Sequence, residues 1–480
     1  MIKKDKGFLI VHGKCDTFKK ITAKQGQFFV LILIGLLVGY LSTVFWPYGA
    51  IILCISVLVG ICALKSYLLV LVVLLLCSSS ITSADYFPKL PVSWFSLELQ
   101  DLFLVLLALV VLSFAFVYNR KIKVNKLDAI VTGFIGVALF SFFIALLRGV
   151  DLVVSLRQLL IVSAIPVMYW VVRFLGENRE EKANLFISYF LWVGFFSACV
   201  NILQYILFYV GSDIHLIADD FIRQRIIGNS YDLLMIRTPS QPLLLVSVII
   251  WVHVLLMKNS AKCNFLPNPR VFVMVITFLG FMMEFARHAL MGLGVAFCLI
   301  IIFQQRKPRL LMRSMLFVGS MVTLFVLLLP DVSGWIMRSF SPSGFLKDTS
   351  THWRLTELSY AFSTFVQNPI FGIGLGGDYR PPIDYIPNPE LGLEYTNYIH
   401  CAPVWWVVDT GLLGLSVLLF LFIYILKIMF HKAGVKHILS NALIAYWISS
   451  LATPDWMGST AGGVVIGVLL GILSTFSTEK

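Results

Sequence analysis

The chain has 480 residues, of which 59% are hydrophobic and 13% are charged, whereas a soluble domain is about 45–50% apolar and about 25% charged. One aqueous core cannot bury so much apolar surface, which excludes an ordinary soluble protein. The net charge of +12 does not indicate a nucleic-acid partner, because lysine and arginine lie between apolar stretches and not in one basic patch. The composition therefore predicts an integral membrane protein.

Apolar stretches long enough to cross a bilayer recur along the whole chain. Residues 1–26 carry seven lysines and precede an apolar run that is too long for a signal-peptide core. The pattern predicts an all-α, polytopic membrane protein with about 12–14 transmembrane helices and one large external loop. The predicted spans are 27–45, 49–64, 67–83, 101–118, 128–147, 152–175, 184–211, 239–257, 271–285, 288–304, 314–330, 401–426, 438–453 and 460–477.

The longest hydrophilic stretch lies near the C-terminal end and is rich in Pro, Gly, Tyr and Asn around residues 372–389. Its first half, 351–367, has apolar residues at helical spacing, which predicts an amphipathic helix on the membrane surface. The predicted parts are a cytoplasmic basic N-terminus (1–26), a first transmembrane bundle (27–330), a large external loop (331–399) and a C-terminal bundle (400–480).

The orientation follows from the bias of lysine and arginine toward cytoplasmic loops. With both termini inside, 26 of the 37 basic residues fall on the cytoplasmic side, and most of these are lysines. Because a guanidinium group binds phosphate or carboxylate through two parallel hydrogen bonds, an arginine-rich outer face is predicted to bind oxyanions. The basic residues of that face are Lys89, Arg148, Arg157, Arg223, Arg225, Arg237, Arg287, Arg338, Lys347, Arg354 and Arg380.

Gly372, Gly374 and Gly377 spell GxGxxG, which binds dinucleotides where it closes a strand and opens a helix. Here the pattern follows a predicted helix and Asn368, and it runs into a Pro-Pro pair at Pro381. This context favours a glycine-rich turn. The eight cysteines lie mostly in apolar segments without metal-ligand spacing, so no metal site is predicted.

Arg287 lies between two apolar segments with hardly any loop, where a charge is costly and usually functional. The alternative is an interfacial anchor paired with Glu284, three residues earlier. Arg157 lies about two turns inside its span and is either functional or a side chain that snorkels to the interface. Three more arginines flank a GNSYD turn: Arg223, Arg225 and Arg237. Taken alone, they would be ordinary solvated side chains.

His400 lies where the long loop re-enters the membrane, and it is one of few groups there that could exchange a proton near pH 7. A lone interfacial histidine is more often structural, so both interpretations stay open. Asp409 lies nine residues after His400, half a helical turn round from it and about 13 Å deeper by helix rise. We therefore expect Asp409 to serve helix packing and not to act together with His400.

Two ordered segments, HWRLTELSYAFSTFVQNPIFGIGLGG and YIHCAPVWWVVDTGLLGLSVLL, resemble the O-antigen ligase and polymerase superfamily. The upstream segments ARHALMG and RIIGNSYD extend the resemblance over about residues 220–425. The chain departs from the family pattern at Cys401, where Asn commonly follows the histidine. It also departs at Ala286 and His288, which replace the Ser and Gly that flank the arginine.

The resemblance implies a metal-independent inverting glycosyltransferase without a cofactor, acting at the periplasmic face of the bacterial inner membrane. The donor would be a glycan on undecaprenyl or another polyprenyl diphosphate. The acceptor would be a second lipid-linked glycan for a polymerase, or a lipid core such as that of lipopolysaccharide, a protein or another surface molecule for a ligase. Membrane lipids and other envelope polysaccharide assembly proteins are further expected partners.

The resemblance also implies roles for individual residues. His400 would orient or deprotonate the acceptor hydroxyl, and Arg287 would stabilise the leaving diphosphate. The further diphosphate-binding candidates are Arg157, Arg225, Arg237 and Arg354. A different class, a transporter such as a flippase for the same lipid-linked glycan, usually shows two related halves, and no repeat is visible here. A structural assembly subunit is the third alternative.

Overall fold

The computed structural model describes residues 70–71, 73–75, 90–92, 95–97, 124–176, 180–211, 216–217, 222–226, 232–236, 238–256, 270–284, 286–303, 312, 316, 319–320, 323, 349–382, 396–431 and 434–477. The basic N-terminus and the predicted spans at 27–45, 49–64 and 101–118 lie outside these residues, and those at 67–83 and 314–330 lie mostly outside them. The total number of transmembrane helices therefore stays a prediction.

The helices of the described part are α1 Lys126–Leu147, α2 Leu152–Gly176, α3 Glu180–Tyr209, α4 Gln241–Leu256, α5 Arg270–Met282, α6 Arg287–Phe303, α7 Thr349–Gln367, α8 Ala402–His431, α9 Val435–Ser450, α10 Asp455–Gly458 and α11 Thr460–Ser477. Apart from α7 and α10, which match no predicted span, they agree with the predicted spans to within about five residues. Two antiparallel hairpins were not predicted: β1 Leu90–Val92 with β2 Phe95–Leu97, and β3 Ile222–Ile226 with β4 Asp232–Ile236.

Four of these helices, α1, α2, α3 and α8, are long and apolar enough to cross a membrane, and α4, α5, α6 and α11 are shorter apolar helices. Large apolar side chains such as Phe143, Ile206 and Phe420 are more than half exposed on their outer surfaces. Outward-facing apolar groups on long helices suit a lipid solvent. The prediction of an all-α polytopic membrane protein is confirmed.

Helices α2 and α11 pack closely along each other through glycines spaced four residues apart. A Cβ added at Gly463 would lie 2.8 Å from the Cβ of Ala164, and one at Gly471 would lie 2.7 Å from the Cβ of Val172. Small residues at this spacing let two helix backbones approach in a membrane, where burial of apolar surface gives little driving force. Because the paired residue numbers rise together, the two helices run parallel.

A buried polar cluster joins α1, α2 and α11 at one end of the bundle. Arg173 Nε lies 3.3 Å from Asp128 Oδ1, and the Tyr169 hydroxyl also donates to Asp128. The Asn125 side chain caps α1 and donates to Ser474 Oγ at 2.8 Å. The Asp128 and Arg173 side chains are each only 1% exposed, so the pair is closed off on all sides. This cluster, the Asp128–Arg173 pair and its neighbours, fixes three helices to one another.

Candidate active site

Helix α8 is broken at Gly411, whose φ of 65° is not helical. A segment that follows α7 supplies the hydrogen bonds that the break removes. Gly374 N–H donates to Asp409 O at 2.9 Å, and Leu412 N–H donates to Pro369 O at 2.8 Å. Asp409 lies about 10 Å along α8 by helix rise. The predicted external loop therefore includes a segment, residues 369–377, that enters the bundle; we call it the glycine-rich segment.

The glycines of this segment allow backbones to come together. A Cβ at Gly372, where φ is +68°, would lie 2.4 Å from the backbone carbon of Asp409. A Cβ at Gly374, where φ is +93°, would lie 2.4 Å from the backbone nitrogen of Ala145 in α1. The segment forms turns without a strand before it or a helix at its end. The GxGxxG pattern thus serves close packing between α1 and α8, as a glycine-rich turn.

Docking of this segment holds the end of α7 beside the break in α8, and Glu357, near the middle of α7, meets His400 just ahead of α8. Nδ1 of His400 lies 2.9 Å from each carboxylate oxygen of Glu357, and the His400 backbone N–H donates to Oε2 at 3.2 Å. Trp353 Nε1 donates to Oε1 at 3.0 Å. Glu357 is only 2% exposed. A buried carboxylate is therefore held against an imidazole by several donors.

The arrangement fixes which nitrogen of His400 can accept a proton. An ionised carboxylate only accepts hydrogen bonds, so Nδ1 carries a proton, and in the neutral imidazole Nε2 has a free lone pair. The side chain is 14% exposed, and Nε2 makes no hydrogen bond to any described residue. The Tyr398 ring packs edge-on to the imidazole with centroids 4.9 Å apart. Such a histidine can act as a general base.

Residues just beyond the glycine-rich segment add a cation and a phenol beside Glu357. The Arg380 guanidinium carbon lies 5.3 Å from the ring centroid of Trp353, and Arg380 Nε donates to the Tyr379 hydroxyl at 3.3 Å. Burial, followed by the charge of Glu357, raises the pKa of the Tyr379 phenol. Arg380 is only 5% exposed. The site thus holds a buried guanidinium that the sequence identified only as one more outer basic residue.

Arg287 is the first residue of α6 and lies at the same end of the bundle as His400. Five residues later, a Cβ on Gly292 would lie 2.7 Å from the backbone oxygen of Ala445, near the end of α9. The first residue of α8 donates its backbone N–H to the oxygen of Thr453, just after α9. Helices α6 and α8 therefore both begin where α9 ends.

Glu284, the alternative partner considered for Arg287, is fully buried in a polar cluster ahead of α6. Its Oε1 accepts from Thr238 Oγ1 at 3.0 Å and from Asn201 Nδ2 at 3.4 Å. The connection that carries Arg287 is thus fixed to α3 and to the start of α4.

The remaining predicted arginines are spread over several elements. Arg354 is on α7, one turn before Glu357, and its charge acts on Cys401, whose thiol pKa is raised chiefly by burial. The structure therefore brings Arg354 to the His400 site. Arg157 is exposed on α2, Arg225 lies in β3, and Arg237 lies outside the described residues.

The part of the chain that holds this geometry also matches a known family. Residues 272–419 match the O-antigen ligase family model. This stretch is therefore similar to O-antigen ligases. It runs from α5 into α8 and contains Arg287, Arg354, Glu357 and His400 together with the glycine-rich segment. A search of curated proteins gave no match to the chain.

This match confirms the resemblance to the O-antigen ligase and polymerase superfamily that the sequence motifs indicated. The function is of the broad O-antigen ligase or polymerase type, so the chain is a membrane glycosyltransferase-like enzyme. Its substrates are accordingly lipid-linked glycans in a membrane.

Sequence reasoning missed Glu357, although a signal for it was present. Glu357 is the one acidic residue of α7, and Ala361, four residues later, lies on the same helical face. Both are buried, whereas Leu355 and Phe362 on the other side are 59% and 70% exposed. A lone carboxylate that faces inward from a helix exposed on its other side requires a buried partner, and His400 is the group that meets it.

Proposed function

We propose that this protein is a metal-independent inverting glycosyltransferase that transfers or polymerises glycan from a polyprenyl diphosphate donor. The reaction would take place at the outer, periplasmic face of the bacterial inner membrane. The observation that carries this proposal is the Glu357 carboxylate on Nδ1 of His400, with Nε2 directed away from it. The excess of lysine and arginine on the predicted cytoplasmic side, 26 of the 37 basic residues, supports the orientation.

In the proposed reaction, Nε2 of His400 takes the proton of the acceptor hydroxyl as that oxygen attacks the anomeric carbon. The attack comes from the face opposite the diphosphate, and the bond from the anomeric carbon to the diphosphate oxygen breaks. Polyprenyl diphosphate leaves with the bonding electrons, and the configuration at the sugar inverts. Glu357 stabilises the imidazolium that forms, as a buried carboxylate does in hydrolase triads.

The leaving diphosphate gains negative charge as the bond breaks, and we assign its stabilisation to arginine. Arg287 begins α6 at the end of the bundle where His400 lies. A guanidinium matches diphosphate oxygens through paired hydrogen bonds, which are strongest in a partly dehydrated site. Further diphosphate contacts are proposed for Arg157, Arg225, Arg237 and Arg354.

A transporter is the second candidate, because broken membrane helices are typical of transporters, and α8 is broken at Gly411. In transporters the freed backbone groups bind the substrate or its coupling ion. In this chain the groups around the break bond to the glycine-rich segment instead. The break therefore supports a fixed scaffold for Glu357 and His400, and we favour the enzyme.

The test is glycan transfer by purified protein in lipid nanodiscs, with a polyprenyl diphosphate-linked oligosaccharide as donor and EDTA present. His400→Ala should lower turnover by about 10²–10⁴-fold, the usual contribution of a general base. Donor binding and thermal stability should persist. His352→Ala is the matched control, because His352 is exposed on α7.

Three outcomes would count against the proposal. Full activity of His400→Ala would exclude His400 as the general base. Loss of wild-type activity on addition of EDTA would exclude a metal-independent reaction. Movement of donor between leaflets of a vesicle, without a new glycosidic bond, would identify a transporter.

A further inference from the structure

A polar cleft of about 400 Å³ opens beside the candidate active site. This volume lies in the range of small-molecule sites, about 300–1,000 Å³. The turn between α1 and α2 forms one wall, and the end of the glycine-rich segment forms the other. The polar side chains that line it are Arg148, Asp151, Asp378 and Asn397.

Local hydrogen bonds hold three of these side chains in place, and each keeps polar atoms that can bind a ligand. Asp151 caps α2, with Oδ1 accepting from two backbone N–H groups, the nearer at 2.7 Å. Asp378 Oδ1 accepts from the Thr396 hydroxyl, and Asn397 Nδ2 donates to Gly376 O at 3.4 Å. Among the described residues, the second oxygens of Asp151 and Asp378 make no hydrogen bond. The cleft is therefore lined by fixed side chains with unused hydrogen-bonding capacity.

The charges of the cleft decide between two kinds of ligand. Two carboxylates against the single guanidinium of Arg148 leave it net negative, and Asp151 already satisfies the first N–H groups of α2. Such a cleft disfavours a diphosphate. Sugar hydroxyls both donate and accept, and the cleft offers carboxylate acceptors, a guanidinium donor and an amide that can do either. A neutral, hydroxyl-rich ligand satisfies all of them.

The cleft and the His400 site share two short chain segments. Asn397 faces the cleft three residues before His400, so their Cα atoms are at most about 11 Å apart. Asp378 lies two residues before Arg380, which stacks on Trp353 beside Glu357. A glycan that lies in the cleft can therefore reach His400 with its next sugar.

We infer that this cleft is a carbohydrate subsite, which binds the sugar next to the reacting one by its hydroxyl groups. The inference rests on the proposed function, since it assigns a position to part of the same glycan substrate. The sugar would come from the donor or from the acceptor, and these have the same chemistry. Separate Michaelis constants distinguish them.

The experiment uses the full-length protein in nanodiscs, with the lipid-linked oligosaccharide and the matching lipid-free oligosaccharide as probes. Asp378→Ala and Asn397→Ala should each raise the KM for one glycan and weaken binding of the lipid-free oligosaccharide, by about tenfold for Asp378→Ala, where a hydrogen bond to a charged group is lost. The kcat should change by less than about threefold, because neither residue acts on the reacting atoms. Glu181→Gln, an exposed carboxylate at the start of α3, is the control.

A raised KM for the donor alone places the donor glycan in the cleft, and a raised KM for the acceptor alone places the acceptor there. Inorganic pyrophosphate should not compete with the lipid-free oligosaccharide. Unchanged oligosaccharide binding in both folded variants would overturn the subsite, as would pyrophosphate binding that Arg148→Ala abolishes. If oligosaccharide binds and depends on Asp378 but no glycosidic bond ever forms, the proposed function fails while the subsite stands.

Discussion

The two ends of the bundle each hold a buried carboxylate against a basic side chain, but the two pairs differ in what they leave open. At one end Asp128 is enclosed by Arg173, Tyr169 and the cap of α1. At the other end Glu357 is as deeply buried, yet His400 keeps one nitrogen outside the pair. The first pair holds helices together, whereas the second presents a lone pair to a substrate.

The choice of cation fits this difference. Arginine stays protonated at any physiological pH, so the Asp128–Arg173 pair is a permanent contact. An imidazole can take up a proton at its second nitrogen and release it again, so the Glu357–His400 pair can change its charge during each turnover. The predictions that follow test whether one pair is structural and the other catalytic.

Glu357→Gln should have the largest effect, a loss of turnover of about 10²–10⁴-fold, comparable to the loss on replacing the buried carboxylate of a hydrolase triad. The amide cannot accept from Trp353, the His400 backbone and Nδ1 together, so it favours the wrong imidazole tautomer. Initial rates at saturating donor would measure the loss. Turnover within threefold of wild type would show that the carboxylate is dispensable.

Arg173→Ala should destabilise the protein by about 3–5 kcal/mol, because it leaves Asp128 buried without its cation. Turnover per folded molecule should be unchanged. Denaturant unfolding in detergent would measure the loss of stability. Rates normalised to the amount of folded protein would measure turnover. The double variant Asp128→Asn with Arg173→Met should recover much of the stability; failure to do so would argue against an ion-pair origin.

Arg287→Lys should lower turnover by about 10²–10³-fold, as the loss of one charge-stabilising donor does in other enzymes. The ammonium keeps the charge but cannot form the paired hydrogen bonds of a guanidinium. Arg270→Lys, at the first residue of α5, serves as the control. A lysine variant as active as the wild type would mean that charge alone suffices at this position.

Gly374→Ala should have the smallest of these effects, a loss of stability of about 1–3 kcal/mol from overpacking against the α1 backbone and from the positive φ. It should also lower turnover, because α7 would shift and carry Glu357 away from His400. Gly294→Ala is the matched control, since a Cβ there meets nothing within 4 Å. Equal activity of the two variants would show that packing of the glycine-rich segment does not position Glu357 and His400.

The sequence predicted the helices closely where an apolar run alone decides the outcome. The span predicted at 460–477 is the helix Thr460–Ser477, and that at 152–175 is Leu152–Gly176. The β3–β4 hairpin was missed because two five-residue strands give a weak pattern beside membrane helices. His400 was identified from its motif and position, and its role stays a prediction.

The carboxylate partner of His400 was beyond the sequence because the two residues are 43 positions apart. Their meeting depends on how the glycine-rich segment docks, and that depends on the break in α8. Neither the spacing of apolar residues nor the number of charges in a segment predicts such a contact. The polar cleft likewise combines residues from the α1–α2 turn with residues more than 200 positions later.

The break in α8 also constrains how the chain is built. In hydrocarbon, each backbone group without a hydrogen bond costs several kcal/mol, so a broken α8 cannot rest in lipid by itself. Residues 369–374 leave the ribosome before residues 408–412, so their backbone hydrogen bonds to α8 form only after that helix has been made. The glycine-rich segment must therefore close onto α8 as that helix enters the membrane. Catalytic competence would then be acquired late in biogenesis, and a chain truncated before α8 would carry a complete α7 with no active site.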